Sequence, residues 1–163
     1  MRKYRITNNL NQAIILCGGK GTRLWPITKK IPKPLIKIND KLFIEYLIFN
    51  LSRQNIKNII LICSYKYIEF KKRYHNKKLF NTHIKCFNEK EPKGTGGGIR
   101  LIKNKIEKYF VVINGDTFFD INIQELFKKY KRKKYYGIIA TTQNNNKRYD
   151  SLHKKNDNNY VNG

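Results

Sequence analysis

The sequence predicts an α/β fold: a Rossmann-like three-layer sandwich in which helices cover both faces of a mainly parallel sheet. Strand-like and helix-like segments alternate from about residue 13 onward, and this alternation is typical of parallel strands joined by crossover helices. Several strand-like segments are short, continuous apolar runs, as expected when both faces of a strand are buried. No internal repeat is visible, and a chain of 163 residues can bury a real core.

Five segments are predicted as strands. They cover residues 13–17, 58–63, 83–87, 109–113 and 136–142. Apolar residues at helical spacing predict four helices between them, of which Ile44, Leu47, Ile48 and Leu51 mark the first. The other three helices are predicted around residues 68–74, 99–106 and 123–130. Ligands of such a sheet should bind beyond the carboxyl ends of its strands.

The predicted organisation has three parts. An N-terminal extension covers residues 1–12, an α/β core covers 13–142, and a polar, truncated C-terminal segment covers 143–163. The last segment is rich in Asn, Lys and Asp, which predicts either a hairpin whose partner strands are absent or a disordered tail.

The net charge is unusual. The chain has 35 Lys and Arg against 11 Asp and Glu, giving +24, and such a charge attracts polyanions, including nucleic acid. The basic residues are spread over the full length, and the abundance of Lys, Asn and Ile indicates a bias throughout the sequence. Specific nucleic-acid binding is therefore not expected, and anionic substrates are a second explanation for the charge.

The sequence also predicts a cytoplasmic protein without a membrane span. No apolar run reaches the roughly 18 residues that a span requires, and residues 1–12 lack the apolar centre of a secretory signal. Cys17, Cys63 and Cys86 lie in or beside apolar runs without metal-binding or redox spacing, which predicts buried, reduced thiols.

The first motif, Gly18-Gly-Lys-Gly-Thr-Arg-Leu24, follows the first predicted strand. Glycines there let the main chain approach a ligand and direct N–H groups at phosphate oxygens. The spacing matches neither the dinucleotide pattern G-x-G-x-x-G nor a P-loop. Arg23 adds a guanidinium that can hold phosphate in a bidentate way, and a plain glycine-rich turn is the alternative.

Two further segments also have both a functional and a structural interpretation. In Pro32-Lys33-Pro34, the prolines hold the lysine in a rigid, extended segment, which is either a ligand site or an ordinary rigid loop. The run Glu89-Lys-Glu-Pro-Lys-Gly-Thr-Gly-Gly-Gly98 leads into a helix. It suits close contact with a base or sugar beside a helix N-terminus, or it is a flexible turn.

The fourth motif, Asn114-Gly-Asp-Thr117, follows the predicted strand 109–113. A carboxylate at the tip of a buried strand is well placed to hold Mg²⁺ against substrate phosphates, which makes Asp116 the candidate metal ligand. Asp120 is a weaker candidate, and we interpret it as an N-cap or first-turn acid of the helix that includes Ile123.

The motifs follow one another in a specific order: a strand followed by GGKGTRL, then PKP, then the GTGG segment, and then a strand followed by NGD. A chain with this order of motifs resembles the sugar-1-phosphate nucleotidyltransferase family. The resemblance covers about residues 13–150. The runs Glu89–Gly97 and Asn114–Ile121 are most similar to the D-glycero-D-manno-heptose 1-phosphate guanylyltransferases within that family.

The resemblance implies a nucleotidyltransferase fold and an enzyme that transfers GMP from GTP to a heptose 1-phosphate, releasing pyrophosphate, with Mg²⁺ as cofactor. It also implies a longer C-terminal part with a second metal-binding aspartate, so that this part is expected to be missing here. A homo-oligomer or the missing segment could complete the protein. Two alternatives stay open: another base or sugar (mannose-1-phosphate guanylyl-, uridylyl- or cytidylyltransfer), and a truncated, non-catalytic nucleotide-binding module.

The resemblance also implies roles for individual positions. Arg23 and Lys33 are expected to be catalytic, with Arg23 stabilising phosphate charge in the transition state and Lys33 neutralising the α-phosphate region. Asp116 is expected to hold magnesium, and Asn114 and Gly115 to contact the sugar phosphate. The implied nucleotide-binding residues are Leu16, Gly18, Gly19, Gly21, Thr22, Gly94, Thr95, Gly96 and Gly97.

Overall fold

The computed structural model describes residues 9–91, 93–133, 136–141, 152–156 and 159–162. The chain divides into two compact units, Met1–Lys129 and Tyr130–Gly163. The first unit contains the layered α/β structure, and the second contains a two-stranded hairpin.

A five-stranded sheet organises the first unit, with the order β5-β6-β4-β1-β7. Its strands are β1 (Gln12–Cys17), β4 (Asn58–Cys63), β5 (Lys77–Leu79), β6 (Thr82–Asn88) and β7 (Phe110–Asn114), and a separate small hairpin joins β2 (Lys37–Ile38) and β3 (Lys41–Leu42). Strands β6, β4, β1 and β7 are parallel, and only β5 pairs antiparallel within this sheet. The predicted α/β architecture with a mainly parallel sheet is therefore confirmed.

Helices cover both faces of the sheet. They are α1 (Ile27–Lys30), α2 (Phe43–Arg53), α3 (Tyr67–Tyr74), α4 (Gly94–Leu101) and α5 (Ile123–Lys133). Alternate residues of β1 belong to different apolar clusters: Ile15 packs with the buried residues of α2 and α3, whereas Ile14 packs with Ile102, the residue that ends α4. This alternation explains why β1 is a continuous apolar run.

Four helices and four of the five predicted strands match elements of the structure, but the prediction for residues 136–142 is wrong where the structure describes them. Residues 136–141 form no strand, and Tyr136 and Ile139 are highly exposed; Thr142 lies outside the described residues. An apolar run becomes a strand only where a neighbouring strand can pair with its main chain, and among the described residues no strand pairs with this run.

The start of one helix and the cap of another differ from the prediction. Helix α4 begins at Gly94 instead of about residue 99, because the glycine cluster itself forms its first turns. At α5, the residue that caps the helix is Asn122, whose side-chain oxygen accepts a 3.0 Å hydrogen bond from the Glu125 N–H. The expected cap, Asp120, is exposed and two residues too early.

In the second unit, β8 (Leu152–Asn156) pairs antiparallel with β9 (Asn159–Asn162). This matches the hairpin alternative for the C-terminal segment. Whether 143–163 is a separate segment from a core at 13–142 stays a prediction.

The three cysteines are free and buried, as predicted. Burial raises the pKa of Cys63 well above its ordinary value and the pKa of Cys86 to about 12. In the part of the chain that the structure describes, no helix combines the length and apolar character needed to cross a membrane.

The strand order places one reversal beside β1. From β1 the chain adds β4 and then β6 on one side, and afterwards returns to add β7 on the other side. In open parallel sheets, ligands bind at the carboxyl ends of the strands where the direction of winding reverses. The segments that follow β1 and β7 lie at this point.

Candidate active site

The segments that follow β1, β6 and β7 meet around one cavity of about 370 Å³. Its wall combines glycine main chain with a few polar side chains and is open enough for a phosphate-bearing ligand. The lining residues are Leu16, Cys17, Gly18, Gly19, Gly21, Lys33, Pro34, Ile62, Glu89, Gly94, Thr95, Gly98, Asn114 and Asp116.

The segment after β1 makes a tight turn at Gly21, which adopts φ 64 and starts a 3₁₀ turn over Thr22–Leu24. An added Cβ at Gly21 would lie 3.1 Å from Thr28 Cγ2 and 3.3 Å from Lys33 Cβ. Both the left-handed conformation and the close packing therefore favour glycine here. At Gly19, no described heavy atom lies within 4 Å of an added Cβ, so that protein packing does not explain this glycine.

Lys33 lies in a second 3₁₀ turn, Lys33–Leu35, in which Pro34 and Leu35 are buried. This anchoring directs the lysine across the cavity, where its Nζ donates a 2.8 Å hydrogen bond to Asp116 Oδ2. Partial burial raises the pKa of Asp116, but hydrogen bonding and attraction by the Lys33 ammonium outweigh that effect, and the pKa lies below its ordinary value. Lys33 and Asp116 thus form an ion pair, far apart in sequence, at the wall of the cavity.

Glu89 is a cavity residue to which the sequence analysis assigned no role. It follows β6 directly, and its Oε1 accepts a 3.2 Å hydrogen bond from the Lys93 N–H. Its carboxylate lies between the two glycine segments, with Oε2 3.7 Å from an added Cβ on Gly18 and Oε1 3.5 Å from one on Gly98. The signal that could have identified it is its position: one of only 11 acids, at the tip of a parallel strand.

At the end of β7, Asn114 and Asp116 line the cavity, whereas Gly115 is buried between them and packs against β1. The Gly115 N–H donates a 2.8 Å hydrogen bond to the Leu16 carbonyl, and an added Cβ would lie 2.7 Å from Cys17 Sγ. The structure therefore explains Gly115 by close packing. Its expected contact with the sugar phosphate stays a prediction.

The structure brings most of the predicted site residues together. Those at the cavity wall are Leu16, Gly18, Gly19, Gly21, Lys33, Gly94, Thr95, Asn114 and Asp116. Those outside the lining are Thr22, Arg23, Gly96, Gly97 and Gly115. Arg23 lies on the exposed 3₁₀ turn directly after the first glycine segment, and its expected catalytic role stays a prediction.

The carboxylate of Asp116 suits a metal ion that is shared with a substrate. Among the residues with described side chains, no three His, Cys, Asp or Glu residues form a group that could hold a metal ion. Mg²⁺ is commonly bound through one or two carboxylates together with substrate phosphates. Asp116 fits that kind of binding, because one of its oxygens faces Lys33 in the same cavity where phosphates would lie.

A sequence model of one known family, nucleotidyl transferase, matches residues 12–157, which is most of the chain and includes every segment of the cavity. The chain belongs to the nucleotidyl transferase family. The cavity of this nucleotidyl transferase chain therefore lies within the matched region, and so do the sheet and its helices.

Individual relatives are similar over the same region. The chain is 50% identical over 115 residues to the D-glycero-alpha-D-manno-heptose 1-phosphate guanylyltransferase of Campylobacter jejuni, covering 71% of this chain and 52% of that protein. It is 36% identical over 120 residues to the enzyme of the same name from Aneurinibacillus thermoaerophilus, covering 73% and 52%. The chain thus spans about half the length of these curated relatives.

A solved structure is similar as well. The crystal structure of HddC from Yersinia pseudotuberculosis complexed with GMP-PN matches with a TM-score of 0.63 and 34% sequence identity, covering 74% of this chain and 54% of that chain. This likeness to an experimental structure supports the fold assignment.

Proposed function

We propose that this chain provides the nucleotide-binding half of a sugar-1-phosphate nucleotidyltransferase, which transfers a nucleoside monophosphate to a sugar 1-phosphate and releases pyrophosphate. The observation that carries the proposal is the shared cavity: two glycine segments, the Lys33–Asp116 ion pair and Glu89 line one space at the reversal point of the sheet. Main-chain N–H groups and a lysine suit phosphates, and a carboxylate suits a magnesium ion.

The proposed reaction is an in-line displacement. An oxygen of the sugar phosphate attacks the α-phosphorus of the triphosphate, the bond from that phosphorus to the bridging oxygen breaks, and pyrophosphate leaves. The nucleophile is already an anion near neutral pH, so that no general base is needed. Catalysis then depends on positioning and on charge neutralisation.

Lys33 is the residue that we assign to charge neutralisation beside the α-phosphate. A bound triphosphate competes with Asp116 for its ammonium, because the two partners lie in the same cavity at 2.8 Å. Asp116 and the substrate phosphates together would hold Mg²⁺, which when bound neutralises developing phosphate charge. The catalytic role of Arg23 also remains part of the proposal.

Guanine is the base that we propose. Its Watson–Crick edge offers two adjacent donors, N1–H and the N2 amino group, and a carboxylate that accepts both can select it over adenine, cytosine and uracil. Glu89 is the acid that lies between the two glycine segments of the cavity. The proposal is also supported by the relatives, two of which are named guanylyltransferases and one of which was solved with GMP-PN.

For the sugar, we propose a heptose 1-phosphate, supported by the names of the two curated relatives. Other matching relatives include mannose-1-phosphate guanyltransferases, so that mannose 1-phosphate is the principal competitor. A cytoplasmic location and a homo-oligomer or second segment as partner stay predictions from the sequence.

The test is pyrophosphate release by the full chain. GTP, ATP, UTP and CTP are each supplied with Mg²⁺ and either heptose 1-phosphate or mannose 1-phosphate. We expect release with GTP and heptose 1-phosphate, and a loss of about 10²–10³ in rate for Lys33→Met. Magnesium-dependent GTP binding without release would favour the nucleotide-binding module, and binding of no nucleotide would refute the proposal.

A further inference from the structure

Thr28 is a buried polar residue beside the first glycine segment. Its side chain is 0% exposed, and its hydroxyl donates a 2.8 Å hydrogen bond to the main-chain carbonyl of Gly21. The same carbonyl accepts a 2.9 Å hydrogen bond from the Leu24 N–H. Two donors therefore fix the peptide plane that follows Gly21.

Fixing this carbonyl also fixes an N–H group. In a trans peptide the C=O and the N–H of one plane point in opposite directions, so that the Thr28 hydroxyl determines the direction of the Thr22 N–H. Thr22 is the first residue of a 3₁₀ turn, where N–H groups have no partner within the turn. Gly21 itself lines the cavity, which brings this peptide beside the space for phosphates.

Helix α1, which carries Thr28, is held in turn from a different part of the chain. The Tyr65 hydroxyl lies 3.0 Å from the Thr28 carbonyl and 3.1 Å from the Lys29 carbonyl. Lys66 Nζ donates a 2.8 Å hydrogen bond to the Lys30 carbonyl. A four-residue helix has little stability of its own, so that these contacts with its carbonyls determine where Thr28 lies.

We propose that Thr28 is a positioning residue for phosphate binding: it orients the peptide after Gly21, and Tyr65 keeps Thr28 in place. Neither side chain lines the cavity, and each acts through the main chain of the glycine segment. This inference rests on the proposed function, because it assumes that the segment binds phosphates.

The experiment compares Thr28→Val with Thr82→Val in the full chain. Thr82 is a matched control, because it is also 0% exposed and its hydroxyl also donates a 2.8 Å hydrogen bond to a main-chain carbonyl, that of Ile56. Thr82 begins β6, at the end of the strand opposite to the cavity. Binding of tripolyphosphate with Mg²⁺ is measured by calorimetry, together with the midpoint of thermal unfolding.

We expect both variants to lower the unfolding midpoint, because each loses the same kind of buried hydrogen bond. Only Thr28→Val should weaken tripolyphosphate and GTP binding, by about tenfold, and Thr28→Ser, which keeps the hydroxyl, should restore it. Tyr65→Phe should also weaken the binding of tripolyphosphate and GTP. If Thr28→Val does not fold, this second variant tests the inference.

Two results would overturn the inference. If Thr28→Val and Tyr65→Phe bind tripolyphosphate as tightly as Thr82→Val, Thr28 serves stability alone while the proposed function stands. If the unaltered chain binds neither tripolyphosphate nor GTP, the proposed function is wrong, and this inference, which rests on it, is wrong as well.

Discussion

The two glycine-rich segments of the cavity are held in different ways. The segment after β1 is fixed at Gly21, whose carbonyl bonds to Thr28 and whose main chain is packed against Thr28 and Lys33. In the segment after β6, Gly96 has no described heavy atom within 4 Å of an added Cβ. Gly94 is equally open but has a left-handed φ of 73, and Glu89 bonds to the Lys93 N–H.

A position can require glycine for two different reasons, and Gly21 and Gly96 illustrate them. At Gly21 the protein itself leaves no room for a side chain and requires a left-handed conformation. At Gly96 the protein leaves ample room, so that a requirement for glycine there would come from a ligand. In the proposed function, the triphosphate lies at the first segment and the base or sugar at the second, and variants of these glycines test that assignment.

The largest expected effect is on base selection in the second segment. Glu89→Gln keeps the size of the side chain but removes its charge and one acceptor, so that the guanine edge loses a partner. We expect GTP binding to weaken by about 1–3 kcal/mol and tripolyphosphate binding to stay unchanged, as measured by calorimetry with Mg²⁺.

The control for this variant is Glu91→Gln, which alters an exposed acid two residues away that pairs loosely with Lys93 at 3.8 Å. Equal GTP affinity in both variants would contradict a role for Glu89 in base selection. A parallel loss of tripolyphosphate binding would instead place Glu89 with the phosphates and erase the distinction between the two segments.

The next effect is on stability in the first segment. Gly21→Ala forces an alanine into a left-handed conformation and crowds Thr28, so that the free energy of unfolding should fall by about 1–2 kcal/mol. Gly19→Ala meets no described atom and should change that free energy by less than about 0.5 kcal/mol. Urea unfolding of the two variants measures the contrast, and equal stabilities would remove the evidence that Gly21 is fixed by its surroundings.

A smaller effect of opposite sign is expected in the second segment. Gly96 lies within α4 and has no left-handed φ, so that Gly96→Ala should stabilise the protein by about 0.4–1 kcal/mol through a less flexible unfolded chain. The same variant should weaken GTP binding if the nucleotide approaches this glycine. Gly137→Ala, which also adds a methyl group in open space but belongs to none of the segments that line the cavity, serves as the control for binding.

The smallest expected effect is the pH dependence of stability that comes from Asp116, which pairs with Lys33 beside the first segment. The pKa of Asp116 is lower in the folded chain than in the unfolded chain, so that its ionised form stabilises the fold above the unfolded value of about 3.9. That stabilisation is lost as the pH falls through the lower, folded pKa. Because the carboxylate is 46% exposed, the contribution should stay below about 1 kcal/mol.

An NMR titration of the Asp116 carboxyl carbon measures this pKa directly. In Lys33→Met the pKa should rise towards its ordinary value, and the acid dependence of stability below about pH 4 should become weaker. An unchanged pKa would mean that Lys33 does not pair with Asp116 in solution.

The sequence predicted the parts of the fold that have long, continuous signals. Strands β1, β4 and β7 are apolar runs of five or six residues, and α2 and α5 have apolar stripes that bury one face. Elements of two to four residues, such as α1 and the hairpin β2–β3, are too short to give a periodic signal and were not predicted. The run at 136–142 had the signal, but among the described residues no strand pairs with 136–141.

Within the site, motif order predicted which segments meet, but not which side chains face the cavity. Lys33 and Asp116 were predicted separately, and their ion pair depends on a separation that sequence spacing does not reveal. Thr28 was overlooked because a threonine directly before two lysines resembles a surface residue. Only the fold shows that it bonds to Gly21.

The buried cysteines can report local unfolding of the sheet, because their thiols become reactive only when they are exposed. Only thiolates react readily with alkylating and disulfide reagents, and the raised pKa values of Cys63 and Cys86 keep these groups protonated while the sheet is closed. Labelling then proceeds only through molecules in which the sheet has locally unfolded. The rate of thiol modification would thus register how strongly a bound nucleotide keeps β1, β4 and β6 together, without any engineered probe.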